Sequence, residues 1–233
     1  MSRHRLVTLI CLLAAVGGAP AVSAPQPATL ISPAPAGSFA PELTQDRRGR
    51  ALLSWLEPAT GGHRFRFARL NAGRWTTPVT IAEGGGFFAN WADVPALFVT
   101  RTGAIAAHWL EKRGARAESY DIRLRVSLDN GATWTAPRTI YRDAVETQHG
   151  FVSYFDAPDG LGLIWLDGRD ATGPMGSMSV RATTLSGRRL EIQGPESVVD
   201  ARVCDCCPTA AASTTAVNKK PLQQPWWCSL GSR

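Results

Sequence analysis

An all-β chain built from repeated four-stranded antiparallel units is predicted, and three observations predict it. Three short apolar runs end in the same Trp-Leu-acid signature, at Trp55, Trp109 and Trp165, spaced 54 and 56 residues apart. Turn signals separate every short run, supplied by 22 Gly and 16 Pro in 233 residues. No segment keeps a 3.6-residue apolar period over three turns, and β-branched and aromatic residues crowd the runs.

The elements follow in order. Arg3 and Arg5 precede a nearly unbroken apolar stretch from Leu6 to Val16, then small residues with Ala19-Pro20-Ala21. This is the pattern of a secretory leader, and its apolar run is too short to span a bilayer comfortably. The expected organisation is a signal peptide over 1–24, a linker over 25–38, the repeats over 39–212 and an aberrant tail over 213–233. The expected location is the periplasm or the exterior.

Each repeat opens on a short apolar piece: Pro41 to Leu43, Val94 to Val99 and Gly150 to Phe155. The Trp runs follow, Ala51 to Glu57, Ile105 to Glu111 and Leu161 to Asp167, each after a Gly-containing turn. They are apolar at nearly every position, as expected for strands covered on both faces. Alternating stretches come next, Phe65 to Leu70, Ile122 to Leu128 and Met178 to Leu185. Closing pieces end the repeats: Trp75 to Ile81, Trp134 to Ile140 and the weaker Pro195 to Val199. Four-stranded units in series at this length are the pattern of β-propeller blades. About three blades and part of a fourth are expected, an incomplete six-bladed ring. A two-layer solenoid is the rival arrangement.

Ser127-Leu128-Asp129-Asn130-Gly131-Ala132-Thr133-Trp134 fits S-x-D-x-G-x-T-W at every fixed position. Asp129 can accept backbone N–H bonds across a tight turn, Gly131 supplies a conformation other residues resist, and Trp134 can fold under the hairpin. This stretch resembles the Asp-box, or BNR repeat, of the sialidase-type propellers. The first repeat carries a worn version, Leu70 to Trp75. The resemblance covers about residues 40 to 211 and is closest to secreted bacterial Asp-box propellers, in which a stretch like Val203 to Ala211 also recurs. It implies a structural role for Ser127, Asp129, Gly131, Thr133 and Trp134, away from the functional face.

The chain departs from a working sialidase. Six blades of this length need roughly 330 residues. The region that would hold the family's first Arg reads Phe39-Ala40-Pro41, and Tyr120, Tyr141 and Tyr154 lie in no nucleophile context. No sialidase residue carries over.

The resemblance places the functional face on two loop sets. Glu57, Glu111 and Asp167 would begin the first set, although their repetition in register suits bonds within the repeat. Residues that do not repeat are the functional candidates: Asp93, Arg169 and Asp170 for catalysis, Trp91, Glu146 and His149 for ligand binding. Cys204, Cys206 and Cys207 fall within four residues. They suit a soft-metal site with His149, a disulfide such as Cys204 to Cys207, or small buried thiols. Otherwise no cofactor is expected.

A formal net charge of +6 spread over scattered Arg residues forms no basic stripe, so a nucleic-acid partner is not expected. A glycan or extracellular polymer is, with self-association through exposed sheet faces and no membrane span once the leader is removed. Three functions remain open: glycan binding or cleavage, a non-catalytic propeller presenting its loops to a protein or polysaccharide, and a metal-dependent site on the cysteines.

Overall fold

The computed structural model describes residues 30–171, 177–187, 189–204 and 209. The signal-peptide reading, the whole of the expected tail over 213–233, and Cys206 and Cys207 lie outside them. The described strands all fall in the unit Ile31–Arg233. They form three antiparallel sheets, with no helix among the described residues long and apolar enough to cross a membrane.

The first sheet contains β1 (Phe39–Gln45), β2 (Ala51–Ala59) and β3 (Gly62–Asn71), with β4 (Arg74–Trp75) and β5 (Val79–Gly84) both pairing β3. The single closing piece expected over Trp75 to Ile81 is therefore two short strands. They part at Pro78, which has no N–H to give a ladder. The second sheet is β6 (Ala96–Val99), β7 (Ile105–Lys112) and β8 (Tyr120–Ser127). Its closing piece, Trp134 to Ile140, forms no strand. Arg138 and Leu124 exchange both backbone hydrogen bonds at an isolated bridge, and Pro137 stands beside it. The third sheet is β9 (His149–Ala157), β10 (Gly160–Asp167) and β11 (Met178–Ser186), with β12 (Glu191–Ile192) and β13 (Ser197–Val203) both on β11.

Strand alternation explains why the Trp runs are apolar throughout. On β7, Ile105, Ala107 and Trp109 join one core with Leu52, Leu56 and Phe65 of the first sheet. Ala106 and Leu110, from the opposite face, join a second core with Leu161, Leu163 and Trp165 of the third sheet. The middle strand of the middle sheet is thus covered on both sides.

The three first strands share a defect opposite each Trp. In the first sheet Phe39 faces Leu56 and Glu42 faces Ser54, so two residues oppose Trp55. In the third, Gly150 faces Leu166 and Ser153 faces Ile164, so two oppose Trp165. These are β-bulges, and each holds a non-glycine residue at positive φ, Ala40 at 50° and Phe151 at 52°. In the second sheet Phe87 bridges Glu111, the Phe88 N–H bonds Leu110 O, and pairing resumes at Ala96 opposite His108. Residues 89–95 stand out of the sheet against Trp109. The bulge has grown into a loop.

The turn after β8 is closed by its own side chains. Asp129 Oδ1 accepts the Thr133 N–H at 2.8 Å and the Ser127 hydroxyl at 2.8 Å, while Oδ2 accepts the Thr133 hydroxyl at 2.5 Å. These donors, the Thr133 hydroxyl first, hold the Asp129 carboxyl down at about 2. Gly131 has φ +96°, and a Cβ there would run into the Phe67 ring of the first sheet. Trp134 meets the same ring edge-on at 6.0 Å. Ile105 pairs Ser127 and Lys112 pairs Tyr120, so this turn and the 113–119 loop lie at opposite ends of the sheet.

Candidate functional site

The acids expected to begin loops lie instead within or at the ends of strands, and are engaged there. The Trp55 indole N–H donates to Glu57 Oε2 at 3.1 Å, and the Trp165 N–H donates to Asp167 Oδ2 at 2.8 Å. Arg64 and Arg66 reach the buried Glu57 at 3.1 and 3.2 Å, and Arg123 reaches Glu111 at 2.9 Å.

The densest polar cluster sits where the second and third sheets meet. His149, at the start of β9, is 0% exposed. Its Nε2 lies 3.2 Å from Asp143 Oδ2 and 3.8 Å from Asp167 Oδ1, and its Nδ1 lies 3.3 Å from Tyr120 O. The ring stacks on Tyr141 at 4.3 Å. The Tyr141 hydroxyl donates to Asp121 Oδ1 at 2.9 Å and accepts the Ile122 N–H at 3.1 Å. Burial, then the Asp121 charge, raises the Tyr141 hydroxyl pKa. Arg169 closes the cluster, reaching Asp167 at 2.7 Å, Asp143 at 3.0 Å and Glu196 at 2.5 Å. Burial alone would raise the Asp167 carboxyl pKa. The Arg169 hydrogen bonds and the nearby His149 hold it below the usual range instead.

Asp143, His149 and Asp167 each offer a ligand atom within 4.8 Å of the others, a spacing a metal ion could use. The Arg169 guanidinium bridges both carboxylates and also reaches Glu196, so one positive charge is shared among three acids. The arrangement serves as a buried ion-pair network joining β10, the 142–148 loop and the segment before β13.

Asp93 lies apart from this network. It is buried, and its Oδ2 accepts the N–H of Phe151, the bulge residue of β9, at 2.7 Å. Burial raises the carboxyl to about 7, with the Phe151 N–H opposing. Two residues away, Trp91 is 93% exposed. The remaining candidates scatter. The Asp170 carboxylate is exposed and pairs with Arg181 at 2.5 Å. Glu146 is exposed, and its backbone oxygen accepts from Arg116 at 3.4 Å. Cys204 is disulfide-bonded, so its sulfur is no thiolate ligand as it stands.

Sequence reasoning passed over His108. It occupies the register position of Ser54 and Ile164, lies buried, and places Nδ1 2.9 Å from the Tyr154 hydroxyl of the third sheet. Burial depresses its pKa to about 3, which keeps the ring neutral. Its failure to repeat would have singled it out. Asp121, Asp143 and Glu196 gave no comparable signal, because only the packing of the sheets brings them together.

No family model matches the chain, and no curated protein matches it. Solved structures do. A protein of unknown function from Dyadobacter fermentans is 16% identical over 68% of this chain and 41% of its own, at TM-score 0.46. An α-L-arabinofuranosidase from Lactobacillus brevis is 14% identical over 69% and 53%, at TM-score 0.46. An endo-arabinase from Bacteroides thetaiotaomicron is 17% identical over 66% and 60%, at TM-score 0.45. The chain thus spans less than two thirds of each of these proteins.

Proposed function

We propose that the chain is an exported module of the sialidase-like propeller type, its three sheets serving as blades, and that it binds a glycan without hydrolysing it. The resemblance of Ser127 to Trp134 to an Asp-box supports the propeller assignment, as do the serial sheets packed Trp face to Leu face. The observation that carries the non-catalytic reading is the state of the carboxylates. Glycoside hydrolysis by the usual route needs a protonated acid and an ionised partner, both free to face the sugar. Glu57, Asp121, Asp143, Asp167, Asp170 and Glu196 are each committed to an Arg within the protein.

One observation favours a second reading. Among the described residues Asp93 is held by no Arg and sits two residues from the exposed Trp91, and burial raises it to about 7, in the range of a general acid. The two readings separate in one experiment. The whole chain is incubated with plant and bacterial polysaccharides and a chromogenic sialoside, and both retention and product release are measured. Retention without release is expected. Turnover abolished in Asp93→Asn would establish the catalytic reading instead.

A further inference from the structure

We infer that residues 89–95 are the ligand-contacting element and that the ligand is an uncharged glycan stacked on Trp91; this rests on the glycan reading above. The three first strands share one bulge, and only in the second sheet has it become a loop. That loop is anchored at both shoulders. Asn90 Oδ1 accepts the N–H groups of Ala92 at 2.8 Å and Asp93 at 2.7 Å, a local turn that fixes the backbone around Trp91. Asp93 then fastens the far shoulder to the Phe151 N–H of the neighbouring sheet. Between these anchors the indole is held out in water. Among the described residues every other Trp is buried or half-buried. A rigid aromatic face presented to solvent suits the C–H face of a sugar ring, which is flat, apolar and flanked by hydroxyls.

The charge of the ligand follows from the cations at this end of the sheets. A carboxylated sugar gains affinity from guanidinium forks withdrawn from water. Among the described residues the part-buried guanidinium groups at this end are already taken: Arg64 and Arg66 by Glu57, Arg113 by Asp121 at 3.0 Å, Arg123 by Glu111 at 2.9 Å, and Arg169 and Arg181 by the acids named above. Lys112, Arg116 and Arg142 are exposed, and exposed Glu118, Glu146 and Asp170 accompany them. Water and salt screen such charges.

The test uses the whole chain, with affinity electrophoresis through gels containing a neutral xylan, arabinan or β-glucan, or an anionic polygalacturonate or sialylated polymer, at low and high salt. At least one neutral polymer should retard the chain regardless of salt. Trp91→Ala should weaken that retardation about tenfold or more, and Trp91→Phe should keep most of it. Urea midpoints of both variants should match the parent, since Trp91 is 93% exposed. Retardation by anionic polymers alone, lost at high salt, would overturn the uncharged ligand and leave the glycan reading standing. Neutral binding unchanged in Trp91→Ala would overturn the loop assignment. No retardation by any polymer would overturn this inference and the glycan reading together.

Discussion

Asp93→Asn is expected to stabilise the protein at neutral and alkaline pH and to flatten its pH dependence. The carboxyl is raised from 3.8 to about 7 by burial. Between those values the unfolded chain has lost the proton and the folded chain keeps it. Stability from this group is therefore greatest below pH 4, falls as pH rises toward 7, and levels off above. A shift of about three units at 1.36 kcal/mol each sets a ceiling of about 4 kcal/mol, and relaxation around the charge would bring it nearer 2. Asn keeps an oxygen for the Phe151 N–H and carries no charge at any pH. The assay is urea unfolding of both proteins at a series of pH values from 4 to 8, read as the difference between the two curves. Other titrating groups cancel in that difference. Parallel curves would refute the reasoning, since they would mean that Asp93 ionises as easily in the fold as out of it.

Two further perturbations test other parts of the fold. Arg169→Gln takes the bridging cation from the buried Asp167 and the part-buried Asp143, leaving Asp167 with Arg181 at 3.8 Å, and should cost about 3 kcal/mol near pH 7, less as acid protonates them; a urea midpoint that does not move at pH 7 would contradict the network. Gly131→Ala forces a side chain to φ +96° and into the Phe67 ring, and should cost about 1–3 kcal/mol in urea unfolding, whereas Gly103→Ala, at φ +89° with open space around it, should cost no more than the backbone strain.

The repeat was legible because Trp55, Trp109 and Trp165 must all be buried by the same geometry, and a shared geometry leaves a shared pattern. The Trp–acid pairs were legible for the same reason: Glu57 and Asp167 recur in register, and both accept the indole N–H two residues back. What escaped was whatever depends on pairing between distant segments. A bulge is a mismatch of count between two strands, so Phe151 and Ala40 look like ordinary strand residues until their partners are known. The cluster around His149 draws on Asp121, Asp143, Asp167, Arg169 and Glu196, which only packing collects. The closing piece of the second sheet was overestimated, since the turn ahead of it and Pro137 within it leave the ladder a single bridge.

The defect opposite each Trp also matters for anyone who wishes to build on this chain. Two residues sit there in the first and third sheets and seven in the second, yet pairing on either side resumes against the same partner positions. The scaffold therefore carries a point at which chain length is uncoupled from strand alignment. A peptide grafted between Ala40 and Pro41 should leave β2 and everything packed on it in place. Three such points on one framework would let binding segments of different lengths be exchanged independently, as cassettes.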